Sequence, residues 1–455
     1  MQQPDRRAWG GRFVRLLSYG VTAMVLTAAS CDDPLTKIHP GPVRFRVSIG
    51  KNLTQSNGLS TNPSVTADGR YVVFASDAKN LALPSSSFRE IFLRDRQTDT
   101  VQNVTRLANV LDQTTIGDCD FPYISPNGNW VVFLARGDMT QTGFPWPPPA
   151  VPNNPFPFSI IRWDRVNDFF DLVLYWPDAD VTNATISNDG RWIAFLTRAT
   201  NIGVNTGGND MVVVADANNG FATTLISRSM GTTNPCSSFC DTPTISADGS
   251  LVVFSSESTD LTADVIPVNK SQVFAGAPDG SSMAIVSRDD LGNVADNHCL
   301  KPNISGDGRY VSFVYGGGTL VTGISPSVSQ VVRRDRTAGT VVNAGIDPVA
   351  LPFFSSILAI GTDISDDGRF VMSWYPIFDG TGNLIDLTVG VQEVGGRFFD
   401  ASVGIVGNTQ ATLNSFPLAS LSADGSWVVF WSLSDAQVLG DTNAVIDVIG
   451  YGPMR

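Results

Sequence analysis

Histidine is nearly absent from this chain of 455 residues, which contains only His39 and His298. Two histidines are too few for a histidine-rich metal centre and make a histidine-based catalytic triad a weak hypothesis. The Gly-x-Ser-x-Gly pattern of hydrolase nucleophiles is missing as well, which argues against acyl-transfer chemistry. These absences favour a protein that binds over one that catalyses.

Basic side chains are also in short supply, with 30 Lys and Arg against 43 Asp and Glu and a formal net charge of -13. A surface with this charge is a poor partner for nucleic acid, whose phosphates select Lys and Arg. Helical periodicity is not apparent. The apolar stretch from Leu16 to Ala29 is too short for a comfortable membrane span.

What the chain does have is a repeat. A Ser or Thr is followed two residues later by Asp-Gly, or once by Asn-Gly, and then by an apolar strand, at intervals of about sixty residues. Asp-Gly between apolar runs predicts a tight hairpin, because Gly tolerates a positive φ. The hairpin glycines are Gly69, Gly128, Gly190, Gly249, Gly308, Gly368 and Gly425.

The strand after each hairpin is apolar at nearly every position, as in Val72-Val73-Phe74, which predicts burial on both faces. Most units add a third strand, such as 91–95, and a fourth, such as 101–105. Four strands in each of seven units predict an all-β, seven-bladed β-propeller. The segment 44–48 looks like a fourth strand, whereas 447–452 has none behind it, so we expect the N-terminal strand to complete the last blade and close the ring.

The first thirty residues predict a signal peptide, with an Arg-rich start, an apolar stretch and Ala28-Ala29-Ser30 before Cys31. Small residues before a single Cys are typical of a bacterial lipobox. We therefore expect Cys31 to be lipidated and the lipid to be the only membrane contact. The alternative is ordinary secretory cleavage near Ala29. Residues 31–42 are then a linker, and residues 43–452 form the propeller.

Four further cysteines remain: Cys119, Cys236, Cys240 and Cys299. In an oxidising envelope we expect a disulfide of Cys236 with Cys240 or with Cys299, while Cys119 stays free. A zinc site is the alternative, although no Cys-x-x-Cys pair supports it. We expect no cofactor; Ca²⁺ is the one alternative, because the Asp-rich loops 205–210 and 440–447 offer oxygen ligands without EF-hand spacing.

Long connections should all emerge on one face, which is the expected binding face. Residues 144–158 are rich in proline and aromatic side chains and should be extended, and residues 351–354 add a second apolar tip. If exposed, they form a patch for protein contact; alternatively, the first loop folds down over the channel or a blade edge. The candidate binding residues are Phe144, Trp146, Phe156, Phe158, Phe353 and Phe354.

The repeated Ser-x-Asp-Gly-Arg-Tyr-Val-x-Phe, with Phe-Leu-Arg-Asp-Arg at 92–96 and Val-Arg-Arg-Asp-Arg at 332–336, resembles the WD40-like, TolB-type propeller repeats of bacterial envelope proteins. TolB has six blades and an extra α/β domain, so its partner does not carry over. The resemblance is specific for the fold. The long connections on one face and the lack of catalytic residues predict a non-enzymatic lipoprotein scaffold of the cell envelope that binds a protein or an envelope polymer. The alternatives are a carbohydrate-active propeller, a glycosidase or lyase with its site in the central funnel, and a purely structural module.

Overall fold

The computed structural model describes residues 43–82, 87–106, 116–137, 157–175, 177–322, 329–345, 359, 361–378, 384–401, 419–432 and 445–454. These residues form seven four-stranded antiparallel sheets. Helix is limited, within them, to the short 3-10 turns Lys51–Leu53, Val104–Arg106 and Ala217–Asn219.

Each sheet is one blade, and in six of the seven the strands follow one another in sequence from the inside outwards. Blades 1 to 3 consist of β2 Ser60–Val65, β3 Tyr71–Ser76, β4 Glu90–Asp95, β5 Thr100–Asn103; β6 Ile116–Ile124, β7 Trp130–Gly137, β8 Ser159–Asp164, β9 Phe169–Leu174; and β10 Val181–Ile186, β11 Trp192–Thr197, β12 Met211–Asp216, β13 Ala222–Leu225.

Blades 4 to 6 consist of β14 Cys240–Ile245, β15 Val252–Ser256, β16 Gln272–Gly276, β17 Met283–Ile285; β18 Cys299–Ile304, β19 Tyr310–Tyr315, β20 Gln330–Asp335, β21 Thr340–Asn343; and β22 Gly361–Ile364, β23 Phe370–Phe378, β24 Leu384–Glu393, β25 Phe398–Asp400. Blade 7 joins β26 Ala419–Leu421, β27 Val428–Ser432 and β28 Asp447–Gly452 to β1 Val43–Arg46.

The first strands of successive blades contact one another all the way round, from β2 through β6, β10, β14, β18, β22 and β26 and back to β2. They enclose a central channel. The predicted seven-bladed propeller is confirmed.

The ring closes as predicted, with β1 as the outermost strand of blade 7. Arg44 lies opposite Tyr451 in the antiparallel register, and Val47 N–H donates to Val448 O at 2.7 Å. Asp447 is fully buried at this seam, where it accepts a hydrogen bond from Ser48 Oγ at 2.5 Å and lies 3.2 Å from Arg46 Nε. The first and last strands are therefore joined by both backbone and charged contacts.

The second and third strands supply the core between blades. Phe74, Phe133, Phe195, Phe254 and Phe313, which stand five residues after the hairpin glycine, are all completely buried. Residues on both sides of these strands are buried, as the continuous apolar runs predicted.

The hairpins follow one hydrogen-bonding scheme. In blade 1, Gly69 N–H donates to Thr66 O, Asp68 Oδ1 accepts from Thr66 Oγ1 and from Arg70 N–H, and Gly69 has φ +69°. The Asp side chains therefore stabilise local turns, because their oxygens satisfy N–H groups that the turn leaves without a partner.

Adjacent hairpins also pack on one another. The side chain two residues after each hairpin glycine covers the glycine of the next blade, so that a methyl group placed on Gly190 would lie 2.2 Å from Trp130 Cε2. Trp427 covers Gly69 in the same way and spans the seam between blades 7 and 1. The remaining pairs are Tyr71 on Gly128, Trp192 on Gly249, Leu251 on Gly308, Tyr310 on Gly368 and Phe370 on Gly425.

These seven turns form what we call the turn ring, around one end of the channel. Hydrogen bonds link neighbouring turns, such as Ala67 N–H to Pro126 O at 2.7 Å and Asp424 N–H to Ala67 O at 3.1 Å. We call this end the turn face. The opposite end, which carries the connections from second to third strands and from blade to blade, is the loop face.

Arginines and carboxylates add a second layer on the turn face. Arg70 Nη2 donates to Asp95 Oδ2 at 2.8 Å, and this bond, together with N–H groups of the following turn, lowers the pKa of Asp95 to about 2. Arg309 lowers the pKa of Asp335 to about 2 in the same way. The Arg-Asp-Arg segments of the repeat thus bind the hairpins to the ends of the third strands.

Candidate functional site

The central channel contains a cavity of about 140 Å³ that the first strands of all seven blades line. Five residues before each hairpin glycine, a polar side chain lines the wall. These seven residues are Ser64, Tyr123, Thr185, Thr244, Asn303, Asp363 and Ser420. Prolines, alanines and aromatic rings fill the spaces between them, so the accessible wall is mostly apolar.

The first strands of blades 1 to 5 carry a β-bulge at the channel, where the register shifts against the second strand. The bulge puts a residue other than glycine at positive φ in each blade, and in four of the five the next residue is proline. Bulges re-aim side chains and are common near functional sites. The residues at positive φ are Asn62, Phe121, Asn183, Thr242 and Lys301.

Blade 6 departs from this pattern. Its first strand pairs with the second without a register shift, and Gly361 stands where blades 1 to 5 have the bulged residue. The ring of Trp374, from the second strand, covers Gly361 and lines the cavity; a methyl group on Gly361 would lie 2.0 Å from Trp374 Cζ2. Departures of one repeat from the others are expected at functional positions.

The same blade supplies the one carboxyl group among the described residues of the cavity wall, Asp363. Asp363 accepts hydrogen bonds from Asn303 Nδ2 at 2.7 Å and from the N–H groups of Ile364 and Leu421 at 2.8 Å each. Burial raises the pKa of Asp363 to about 7 despite these donors. The protein that surrounds Asp363 disfavours its charged form more than its partial exposure to the channel favours it.

Two other titratable side chains line the cavity. Burial raises the pKa of Tyr123, and the charges of Asp363 and Asp366 raise it further. Lys301 Nζ lies 2.6 Å from Asp241 Oδ2, which balances its charge.

A second concavity, of about 530 Å³, runs along β17, the outer strand of blade 4, from the turn 280–282 on the turn face to connections of the loop face. Met230, Asp264 and Arg288 contribute to its lining, and Arg288 Nη2 lies 2.6 Å from Asp264 Oδ1. Met230 N–H donates to Asp260 O at 2.8 Å, so the connections on either side of blade 4 both bond to the loop 257–271.

Large apolar side chains are exposed on the three loop-face connections, 226–239, 257–271 and 286–298, that contribute residues to this groove. We define the blade 4 patch as Met230, Phe239, Val265, Val268 and Leu291, of which Val265 is 91% exposed and Leu291 88%. All five lie on connections of the loop face. On the turn face, Val166 is 64% exposed in the short turn between β8 and β9.

Most of the binding residues expected from the sequence lie outside the described residues: Phe144, Trp146, Phe156, Phe353 and Phe354, and the lipidation candidate Cys31. Phe158 is described and half-buried. Its ring packs edge-on against Phe121 at 6.4 Å, and the Arg136 guanidinium lies 4.0 Å from its centroid. Phe158, which directly precedes β8, therefore packs against a residue of the channel wall.

Cys119, Cys240 and Cys299 occupy equivalent positions at or near the start of first strands, and all four described cysteines are free thiols. Cys236 Sγ lies 3.7 Å from Cys240 Sγ. Hydrogen bonding to Cys240 lowers the pKa of Cys236, whereas burial raises the pKa of Cys240. Of the partners that the sequence allowed, Cys240 is thus adjacent, and the disulfide stays a prediction.

His298 accepts a hydrogen bond from Ser271 N–H at its Nδ1, 3.2 Å away. Two of the carboxylates considered for Ca²⁺ have protein partners, since Asp210 pairs with Arg198 at 3.0 Å and Asp447 with Arg46, and Asp441 lies outside the described residues. Across the described ranges, no group of three or more His, Cys, Asp or Glu side chains could hold a metal ion. Calcium binding remains untested.

Sequence reasoning missed Asp363, Trp374 and Phe121 as members of one cavity. A signal was present, because proline recurs six residues before the hairpin glycine in four blades. Proline cannot donate to a strand ladder and therefore marks a bulge. No helix within the described ranges has the length and apolar character that a membrane crossing requires.

No protein-family model matches the chain, and no curated protein matches it significantly. Among solved structures, oligogalacturonate lyase from Vibrio parahaemolyticus is similar, with a TM-score of 0.53, 11% identity, and coverage of 90% of this chain and 97% of that one. This similarity shows the fold alone.

TolB from Acinetobacter baumannii aligns with a TM-score of 0.40 and 14% identity over 85% of this chain and 81% of its own. The putative TolB from Agrobacterium tumefaciens aligns with a TM-score of 0.37 and 15% identity over 67% of this chain and 87% of its own.

Proposed function

We propose that this protein is a non-enzymatic binding protein of the bacterial cell envelope that holds a protein partner on its loop face. The blade 4 patch is the observation that carries the proposal. Five large apolar side chains stay exposed on three connections that bond to one another and contribute to the lining of a groove of about 530 Å³. Exposed apolar groups rimmed by polar ones are typical of protein contact surfaces.

The turn face offers less for a partner. Its arginines, carboxylates and aromatic rings already bind one another within and between blades. The apolar character of the blade 4 patch also favours a protein over a hydrated envelope polymer, because burial of apolar surface drives association.

The envelope location rests on the N-terminal segment, where an Arg-rich start and an apolar stretch precede Ala-Ala-Ser-Cys31. Lipidation of Cys31 would tether the propeller to a membrane through the linker 31–42. Replacing Cys31→Ser should move the protein from the membrane fraction to the soluble fraction. Unchanged fractionation and no incorporation of labelled fatty acid by the wild type would contradict the anchor.

The alternative of a glycosidase in the funnel gains no support from the cavity wall. Glycoside hydrolysis uses two carboxyl groups on either side of the scissile bond. Asp363 is the single carboxyl group that lines the described part of the channel.

Crosslinking with mass spectrometry in intact cells tests the partner proposal. We expect crosslinks from the connections 226–239, 257–271 and 286–298 to one envelope protein, and their loss in the double variant Val265→Asp, Leu291→Asp. Val166→Asp is the matched control, since it also adds a charge at an exposed valine but on the turn face. Equal loss in both variants, or crosslinks confined to the turn face, would refute the proposed surface.

A further inference from the structure

The channel cavity is a separate feature that the proposed partner surface does not use. Its volume of about 140 Å³ is roughly ten times what one water molecule requires. It is well below the volumes of pockets for drug-sized ligands, about 300 Å³ and more. The cavity therefore suits a molecule with a handful of heavy atoms.

Three aromatic rings line this small space. Phe121 and Tyr123 come from blade 2, and Trp374 comes from blade 6, where its ring covers Gly361, the counterpart of the bulged residue in blades 1 to 5. Aromatic faces carry partial negative charge and attract cations, most strongly where water is excluded.

The charges of the wall point the same way. Asp363 receives N–H donors from blades 5, 6 and 7, but within the described residues no Arg, Lys or His forms an ion pair with it. Lys301, the one basic side chain of the wall, is bound to Asp241. An ionised carboxylate in such a place is costly unless a positive charge joins it.

We propose that the channel binds a small organic cation, a quaternary ammonium ion or a protonated amine, between the aromatic rings and the Asp363 carboxylate. A bare metal ion fits this wall poorly, because hard cations need several oxygen ligands and the wall is mostly apolar. A neutral sugar would depend instead on hydroxyl and amide hydrogen bonds. The net charge of -13 also favours the approach of cations.

Binding should depend on pH through Asp363. The charged and titratable groups near it are Tyr123 from blade 2 and Asp366 from the turn of its own blade, while Lys301, which is paired with Asp241, lines the same cavity. A bound cation favours the ionised carboxylate, so binding should strengthen from about pH 6 to about pH 8 and release a proton below neutrality.

Calorimetric titration of the purified full chain with choline, tetramethylammonium, 3,3-dimethyl-1-butanol and glucose tests the proposal. The alcohol has the shape of choline without its charge. We expect both cations to bind and the alcohol to bind at least about tenfold more weakly. Equal binding of choline and the alcohol, binding of glucose alone, or no binding of either cation at millimolar concentrations would overturn the proposal.

Two variants locate the site. Asp363→Asn should weaken choline binding at least about tenfold and abolish its pH dependence, because it removes the negative charge. Asp279→Asn is the matched control, since it makes the same change of charge in the turn between β16 and β17, outside the cavity lining, and it should leave choline binding within about twofold. A loss in Asp279→Asn as large as that in Asp363→Asn would indicate a general effect of net charge and contradict the cation site. If Asp363→Asn fails to fold, the difference in affinity of the wild type for choline and for 3,3-dimethyl-1-butanol still tests whether the channel selects a cation.

Discussion

The packing of each blade on the hairpin glycine of the next can be tested at Gly190. In Gly190→Ala the new methyl group would meet the Trp130 ring at 2.2 and 2.4 Å, at a residue with φ +73°. A left-handed alanine costs about 1 kcal/mol. Overpacking against a ring that other contacts hold in place adds about 1–3 kcal/mol. We therefore expect the free energy of unfolding to fall by about 2–4 kcal/mol, the sum of the two terms.

Gly231 provides the matched control, because it has the same φ of +73° and nothing within 4 Å of its would-be methyl group. Gly231→Ala should cost only the backbone term, about 1 kcal/mol. Urea unfolding, followed by circular dichroism and by tryptophan fluorescence, measures both losses. Equal losses for the two variants would refute the claim that Trp130 packs on Gly190.

A double-mutant cycle isolates the contact itself. Trp130→Ala alone removes the ring and its stacking with the Arg162 guanidinium, which lies 4.5 Å from the ring centroid. With the ring gone, Gly190→Ala should cost about as little as Gly231→Ala, which gives a coupling of about 1–3 kcal/mol. A coupling free energy near zero would contradict the contact between Trp130 and Gly190.

Three further outcomes are expected. Asp447→Ala should lower the free energy of unfolding by about 3 kcal/mol or more in urea, because it removes the partner of buried Arg46 and Ser48 at the seam; a loss below about 1 kcal/mol would contradict a buried seam. Asp95 and Asp335 have pKa values of about 2 in the folded protein, below the usual 3.8. The stability that they contribute is therefore present above about pH 4 and is lost as the pH falls towards 2. The double variant Asp95→Asn, Asp335→Asn should lose less stability over this pH window than the wild type, and an unchanged slope would count against these ion pairs. Oxidation with diamide followed by peptide mapping should link Cys236 to Cys240, whose sulfurs are 3.7 Å apart; a link of either residue to Cys299 instead would contradict this pairing.

The hairpins, the four-stranded units and the closing strand could all be predicted because each depends on a local signal. Asp68-Gly69 and its counterparts dictate a turn by their own backbone preferences, and Val72 to Phe74 show burial by composition. The glycine serves a second purpose that spacing does not reveal, since only the assembled ring brings Trp427 onto Gly69.

The channel site was harder to predict. Asp363 occupies the same position relative to the hairpin glycine as Ser64 and Asn303 do in their blades. Its charge becomes informative only once the structure shows that the surrounding wall is mostly apolar and that, among the described residues, the basic side chain of the wall is already paired. In the sixth repeat, Trp374 stands one position after the site where most other repeats have Phe, which the sequence does show. Its position above Gly361 depends on the missing bulge in blade 6, which the sequence does not show. The exposed blade 4 patch has no sequence signature at all, because single apolar residues in loops are common.

Disulfide trapping across the seam tests the closed seven-bladed ring most directly. Arg44 and Tyr451 are register partners in β1 and β28, whereas the neighbouring Phe45 lies opposite Gly450. The double variant Arg44→Cys, Tyr451→Cys should form an intramolecular crosslink between the first and last strands on oxidation, and the pair Phe45→Cys, Tyr451→Cys should form little. Failure of the first pair to link in folded protein, or equal linking of both pairs, would contradict closure of the propeller by its N-terminal strand.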